Sequence, residues 1–302
     1  MESVFIIFVS RKHQAWKTNF FNLPVTNNMK KLLSIEWLKL KDYNPFKVLS
    51  IFFVFGIVLV NIIVYQANKS IIEESLPKGQ MFSFHPYDFA NTWQTTSYAT
   101  GFLLVLPAML LIILVTNEYA YRTSRQNIID GWSRKEFIMV KLALALIFAV
   151  VTTLIVFLTA LIFGWISGTD FSFHKVSHVF YFFLKALSYN VLAILVSVLV
   201  RKTGFAIGLY FIYMGAENII SQLLNLWSIK LKADQNGDYG NMGDYLPMNA
   251  SDALLTFPDN PIKDMSKMVM PADHTGLVLI LALVYLVLFG YFSIRKFVKS
   301  DL

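Results

Sequence analysis

Few residues of this sequence could do chemistry, and most of them border long apolar stretches. Glu118 directly follows one such stretch, and Arg122 stands four residues later, a spacing that permits an ion pair along a helix. His174 and His178 also stand four residues apart, and two imidazoles at this spacing can bind zinc or copper. We interpret the two histidines as polar residues of a membrane interface, with metal binding as the alternative.

Glu217 and Lys185 are charged residues inside apolar stretches. Glu217, followed by Asn218, interrupts the stretch 205–227, where an acidic side chain is costly in a bilayer. Glu217 either faces a substrate path or a subunit interface, or it only fixes helix packing by hydrogen bonding to Asn218, Gln222 or another span. Lys185 lies near the start of a different stretch and is expected to extend outward to the lipid headgroups.

The sequence does not indicate an enzyme. It contains no cysteine, which excludes disulfides and thiolate metal sites. The phosphate-loop pattern G-x-x-x-x-G-K-[ST] does not occur, so a nucleotide site of that kind has to lie on another chain. His, Asp, Glu and Ser residues do not cluster at the spacing of a hydrolytic site. We therefore expect no catalytic residue and no cofactor on this chain.

Composition places the chain in a membrane. Of its 302 residues 56% are hydrophobic and 15% are charged, and the mean hydropathy is +0.55. Soluble domains carry about 25% charged residues. A chain with so few charges needs lipid to cover much of its surface. The net charge of +7 could indicate nucleic acid, but the cations are sorted between the two sides of the membrane, so we expect no nucleic-acid partner.

Six apolar stretches are long enough to cross a bilayer, which takes about 20 residues each. They are continuous rather than alternating, which predicts helices and not barrel strands. The predicted fold is therefore all-α, an integral membrane protein with six transmembrane helices. The stretches are Phe46–Tyr65, Tyr98–Thr116, Ile138–Ile166, Val179–Val200, Phe205–Trp227 and Gly276–Ile294.

Basic residues orient these spans. Cations accumulate on the cytoplasmic side of membrane proteins, and 18 of the 26 Lys and Arg residues fall on one set of connections. Both termini are therefore predicted to be cytoplasmic, and the connections 66–97 and 228–275 to be outside. The second outer connection is long and rich in proline, which predicts a small external structure or partial disorder. The 18 cations are Arg11, Lys12, Lys17, Lys30, Lys31, Lys39, Lys41, Lys47, Arg122, Arg125, Arg134, Lys135, Lys141, Arg201, Lys202, Arg295, Lys296 and Lys299.

The N-terminal region divides into two parts. Residues 1–28 are expected to be an extension, either a disordered tail or the product of an upstream start site, because the sequence from Met29 resembles a natural start. Residues 30–43 alternate lysines with Leu, Ile and Trp before the first span. This pattern predicts an amphipathic helix in the cytoplasmic interface, with a basic juxtamembrane tail as the alternative. Residues 29–302 are predicted to form a single domain.

The connection between spans two and three carries the clearest local signals. Thr123 can cap a short helix over residues 124–130, with Gly131 as its stop. Ser133 and Glu136 are spaced as a capping box for the next helix. Three apolar residues stand out on this polar loop, and they indicate a docking surface. They are Ile128, Ile129 and Trp132.

This connection resembles the first cytoplasmic loop of ABC-2 type transporter permeases, the membrane subunits of ATP-driven exporters. In that family a glutamate closes span two, an aromatic-Arg-Thr element leads into a coupling helix, and a Gly-x-Ser-Arg turn and a lysine open span three. The residues that match are Glu118, Tyr121, Arg122, Thr123, Gly131, Trp132, Ser133, Arg134 and Lys141. The resemblance extends to the architecture of an interfacial helix, six spans and a long outer segment before span six.

The resemblance implies a mechanical role. Two copies of a cytoplasmic ATP-binding subunit would dock on the coupling helices of two permease copies, identical or related, and drive export across a bacterial plasma membrane. The transported substrate stays open. Three alternatives do not involve a coupled ATPase: a channel or secondary carrier, an integral-membrane enzyme, and a scaffold that keeps the docking loop without transporting. An adjacent reading frame for a phosphate-loop ATPase would favour the permease.

Overall fold

The computed structural model describes residues 25–75, 85–129, 131–234, 237–258 and 271–300. All regular structure in these residues is helical. The chain divides into two compact units, residues 1–42 and residues 43–302.

The first unit contains helix α1, Val25–Lys41. It covers most of the predicted interfacial helix 30–43, and Lys39 pairs with Glu36 one turn earlier at 2.9 Å. Trp37 and Leu38 are more than half exposed, as an amphipathic helix requires. Residues 1–24, most of the predicted extension, lie outside the described residues.

The second unit is a helical bundle. Its long helices are α2 (Asn44–Ser75), α3 (Phe89–Thr100), α4 (Val105–Ala120), α6 (Arg134–Ile166), α7 (Ser177–Val200), α8 (Thr203–Ala233) and α10 (Thr275–Lys299), and its short helices are α5 (Thr123–Ile129) and α9 (Asn249–Ala253). A 3₁₀ turn, Gly101–Leu104, joins α3 to α4, and a second, Met242–Tyr245, precedes α9. Helix α7 is the most buried of the long apolar helices and packs against α4, α6 and α10.

Five helical stretches of the described residues are long and apolar enough to cross a membrane. They are Asn44–Ala67, Phe89–Ala120, Arg134–Ile166, Ser177–Val200 and Thr275–Lys299, and each contains one of the predicted spans. The remaining predicted span, Phe205–Trp227, is helical within α8 but is not among the five. Glu217, Asn218 and Gln222 lower its hydropathy.

The helix that contains the second predicted span begins earlier than that span. Residues 89–97 were expected in an outer connection, yet they form the buried first turns of α3. Tertiary hydrogen bonds explain the difference, because the Thr92 hydroxyl donates to the Ala160 carbonyl at 3.1 Å and the Trp93 indole to the Ser172 carbonyl at 2.8 Å. Pro107 is the third residue of α4, where a missing N–H leaves no helical bond unmade.

The bundle has two distinct ends. At one, which we name the loop end, the α4–α6 connection lies beside the α7–α8 connection and the C-terminus of α10, since Thr116 contacts Thr203 at 2.8 Å and Arg134 reaches Val298 at 3.1 Å. At the opposite, far end α3, α7 and α10 begin. Residues 237–258, which we name the outer segment, follow α8 at the far end.

Candidate functional site

The loop end presents one short helix, α5, between the two membrane helices α4 and α6. Arg122, with φ of 57°, turns the chain out of α4, and its carbonyl accepts the N–H groups of Arg125 and Gln126 at 3.1 and 3.2 Å. Thr123 was predicted to cap this helix, and that detail is wrong. Thr123 is the first helical residue, and its hydroxyl donates back to the Glu118 carbonyl at 3.4 Å.

Gly131 ends α5, as predicted. Its φ of 105° lies in a region that favours glycine. The N–H of Trp132 bonds to the carbonyl of Asn127 at 3.0 Å, and the N–H of Gly131 to that of Ile128 at 3.2 Å. These two bonds form a Schellman motif, which satisfies carbonyls that a helix end leaves free.

Replacing Gly131 by Ala is expected to loosen α5. The added methyl group would meet nothing within 4 Å, so the penalty comes from the backbone conformation alone, about 1–2 kcal/mol. Hydrogen exchange of the α5 amides should accelerate about 5- to 30-fold. Gly204→Ala, an equally open position inside α8, is the control and should leave exchange unchanged. Equal exchange in the two variants would contradict the role of Gly131.

The capping box that opens α6 is confirmed. The Ser133 hydroxyl accepts the Glu136 N–H at 3.1 Å, and the Glu136 carboxylate accepts the Ser133 N–H at 2.8 Å. Together with the Gly131 turn, this box fixes where α5 ends and where α6 starts.

A buried ion pair ties the two flanking helices together beneath α5. Glu118 Oε1 lies 2.8 Å from Lys141 Nζ, and the two side chains are only 8% and 1% exposed. Lys141 also lies 5.2 Å from the ring centre of Phe137. The helical pair that the spacing of Glu118 and Arg122 suggested is not the geometry found, because α4 ends at Ala120 and Arg122 adopts a left-handed backbone.

The start of α6 is also attached to the end of α10. Arg134 Nη1 donates to the carbonyls of Val298 at 3.1 Å and Ser300 at 2.9 Å. Phe137 stacks on Phe297, with 4.7 Å between ring centres and 5° between planes. The sequence pointed to Arg134 only as a residue of the loop. It did not point to Phe137 or Phe297, because each lies beside charged residues just outside a predicted span.

The surface of this loop combines exposed apolar and cationic residues. Tyr121 is 76% and Ile129 is 78% exposed, unusually high values for such large side chains. Arg122 is also exposed, whereas Ile128 and Trp132 are half-buried. Of the three predicted docking residues, Ile129 is therefore the most accessible to a partner.

Glu217 has a defined structural environment. It is 6% exposed, and its Oε1 accepts the N–H groups of Met248 at 2.5 Å and Asn249 at 2.9 Å and the Asn249 side-chain amide at 3.2 Å. These donors lie at the start of α9, so the carboxylate holds the outer segment in place. Asn218 faces away from this contact and accepts a bond from the Gln222 amide at 2.7 Å on an exposed face.

Lys185 is buried, so the prediction that it extends to the headgroups is wrong. Its ammonium lies 3.2 Å from Asp252 of α9, and its side chain is 8% exposed. The Tyr189 hydroxyl donates to the same carboxylate at 3.2 Å. Asp252 could not be singled out from the sequence, where it is one of several aspartates in a long connection.

Two aspartates of the outer segment differ in their electrostatics. Burial raises the pKa of Asp244 to about 6, and side-chain hydrogen bonds from two asparagines only partly offset this shift. The backbone N–H of Ala272 holds the pKa of Asp238 below its usual value. Mild acidification therefore neutralises Asp244 while Asp238 keeps its charge.

The two histidines considered as metal ligands bond to the backbone. His174 Nδ1 lies 3.4 Å from the Ala90 carbonyl, and His178 Nδ1 lies 3.1 Å from the Lys175 carbonyl. Nowhere in the described part of the chain do three or more His, Asp or Glu residues form a group that could hold a metal ion.

Comparison with known protein families gives a match. A family model described as ABC-2 family transporter protein matches residues 32–217. The matched region includes α4, α5 and α6, with the Glu118–Lys141 pair, and ends at Glu217 in α8. No curated protein matches the chain.

Proposed function

The chain belongs to the ABC-2 family of transporter proteins, and from this premise we propose that it is the permease subunit of an ATP-driven exporter. Two copies of a cytoplasmic ATP-binding subunit supply the energy, and a second permease copy completes the membrane assembly. The complex resides in a bacterial plasma membrane. This chain itself hydrolyses nothing, and its cargo is unassigned.

One observation carries the proposal. Helix α5 is a short element that ends at the Gly131 turn and presents Ile129 at its exposed end, and it connects two membrane helices that the buried Glu118–Lys141 pair joins. An exposed apolar side chain on a rigid helix is typical of a docking element. The buried pair beneath it prevents a push on α5 from being absorbed by local bending.

The proposed topology has six spans with both termini in the cytoplasm. Helix α8 would be the fifth span, since its 31 residues extend roughly 46 Å at 1.5 Å per residue. The cost of placing Glu217 in a membrane falls when donors from Met248 and Asn249 surround it. The cations of the loop end, among them Arg122 and Arg201, support a cytoplasmic position for that end. Residues 29–302 would form the permease domain.

The proposed mechanism transmits displacement rather than chemical change. Closure of two ATPase subunits on ATP would push the two docked α5 helices together. Because α4 and α6 are joined at Glu118 and Lys141, they would move with α5 as one body and change the side to which the translocation path opens.

Co-purification tests the proposal. The chain should be expressed with a candidate phosphate-loop ATPase taken from an adjacent reading frame, extracted in mild detergent and reconstituted into proteoliposomes. We expect a stable complex whose ATPase activity depends on the permease. Failure of the two proteins to associate would favour a channel, a secondary carrier or a membrane enzyme.

A further inference from the structure

The last helix of the bundle is bound to the loop that carries α5. Arg134 is the first residue of α6, three residues beyond the Gly131 turn, and its guanidinium donates to the carbonyls of Val298 and Ser300. The final carbonyls of a helix have no partner within the helix, and they carry a partial negative charge. A guanidinium that donates to the Val298 carbonyl in the last turn of α10 and to the carbonyl of Ser300, directly after the helix, fixes the position of the end of α10.

An apolar contact reinforces this attachment one turn further along α6. Phe137 and Phe297 are both fully buried and stack face to face. Tyr119 of α4 approaches the same Phe297 ring at 6.4 Å. Helix α10 is therefore attached to both helices that flank α5, through one polar and one aromatic connection.

The other half of α10 contacts the outer segment. Val278 and Ala282 pack with Ala250 and Leu254 in one buried cluster. The Tyr285 hydroxyl donates to the Tyr245 carbonyl at 2.9 Å. Since α10 has 25 residues and is roughly 38 Å long, a single rigid element joins the loop end to the outer segment.

We propose that Arg134 is a positioning residue that makes α10 move with α5, so that displacement at the loop end reaches the outer segment 237–258. This inference rests on the proposed function, because it needs the ATPase as the source of displacement. A rigid element that two distant sites both contact can carry coupling between them, and α10 is such an element. The Glu118–Lys141 pair makes α4 and α6 move together, and the Arg134 contact makes α10 move with them.

The absence of native cysteine allows a direct test. Ala253→Cys places a single reactive thiol in α9, at a half-buried position of the outer segment. Membranes containing the permease–ATPase complex are treated from outside with an impermeant maleimide, with and without ATP and vanadate. We expect nucleotide trapping to change the labelling rate about fivefold or more, the lower end of usual coupling.

In the Arg134→Ala complex, the labelling rates with and without ATP and vanadate should become equal, while the amount of co-purified ATPase stays constant. Arg134→Lys keeps the charge but replaces the planar guanidinium by a shorter side chain with a single ammonium, and should give an intermediate change. Should Arg134→Ala not yield folded protein, Phe297→Leu interrupts the same attachment and should likewise reduce the response. Lys296→Ala removes an exposed cation from the same end of α10 and is the matched control, with a full response expected.

The outcomes separate the two proposals. If labelling of the Arg134→Ala complex responds to nucleotide as strongly as labelling of the parent complex, the role of Arg134 is overturned and the permease function stays intact. A chain that fails to bind the ATPase, or a parent complex whose labelling ignores nucleotide, overturns this inference together with the mechanism on which it rests.

Discussion

Replacing Lys141 by Met is expected to destabilise the protein by about 3–5 kcal/mol, because it removes the cation that lies 2.8 Å from the buried Glu118 carboxylate. The methionine fills a similar volume, so the loss reports the charge and not a cavity. Thermal unfolding in detergent should show the loss as a lower melting temperature. Transport should also fall in this variant, because α4 and α6 are no longer joined beneath α5.

Two further variants make the Lys141 prediction specific. Glu118→Gln combined with Lys141→Met removes both charges and should recover most of the lost stability. Lys202→Met removes an exposed lysine at the same end and should change stability by less than about 0.5 kcal/mol. A double variant as unstable as the single one, or a single variant indistinguishable from Lys202→Met, would contradict the buried pair as an anchor.

Replacing Ile129 by Ala is expected to weaken ATPase binding about 30-fold, while leaving the fold intact. Truncating a central apolar residue of an interface typically costs 2 kcal/mol or more, and each 1.4 kcal/mol corresponds to about tenfold in affinity. Stability should be unchanged, because Ile129 is 78% exposed and contributes little to packing in the free permease. Titration of purified ATPase onto permease in nanodiscs measures the change.

Ile166 supplies the matched control for Ile129. It is 59% exposed and lies at the opposite end of α6, so Ile166→Ala removes the same apolar group away from the loop end. We expect parental affinity for this variant. Equal losses of ATPase affinity in the two variants, or no loss with Ile129→Ala, would contradict the assignment of α5 to the docking surface.

Local features of the loop were predictable because short-range rules determine them. The positive φ at Gly131 and the Ser133–Glu136 box follow from residue types a few positions apart, and the structure has both. Thr123 shows the limit of such rules, because the turn at Arg122 placed the helix start one residue earlier than the capping preference suggested.

Long-range pairs could not be derived in the same way. The sequence suggested Arg122 as the partner of Glu118 because a spacing of four is visible in one helix, whereas the actual partner, Lys141, lies 23 residues away on the next helix. The prediction that Lys185 extends to the lipid headgroups was wrong for the same reason, because its partner is distant in the sequence. Its carboxylate partner belongs to α9, which folds against the bundle only in three dimensions.

Hydropathy alone also left the start of a helix undetected. The residues that begin α3, among them Thr92 and Trp93, were interpreted as a polar connection, but their polar atoms bond across to α6 and the chain beyond it. Residue type alone does not distinguish a buried, hydrogen-bonded polar side chain from an exposed one. The same ambiguity applies to α8, where Glu217 lowers the hydropathy of a helix yet is itself buried.

The most direct test of the account uses Ile129→Cys as the only thiol in the chain. An impermeant maleimide is applied to inside-out and right-side-out vesicles, without ATPase subunit and with ATPase subunit in large excess, because the substitution shortens a docking side chain. We predict labelling in inside-out vesicles alone, and protection of that thiol when the ATPase binds. Labelling in right-side-out vesicles, or a thiol that reacts equally with the ATPase present, would contradict the claim that α5 receives force from an ATPase inside the cell.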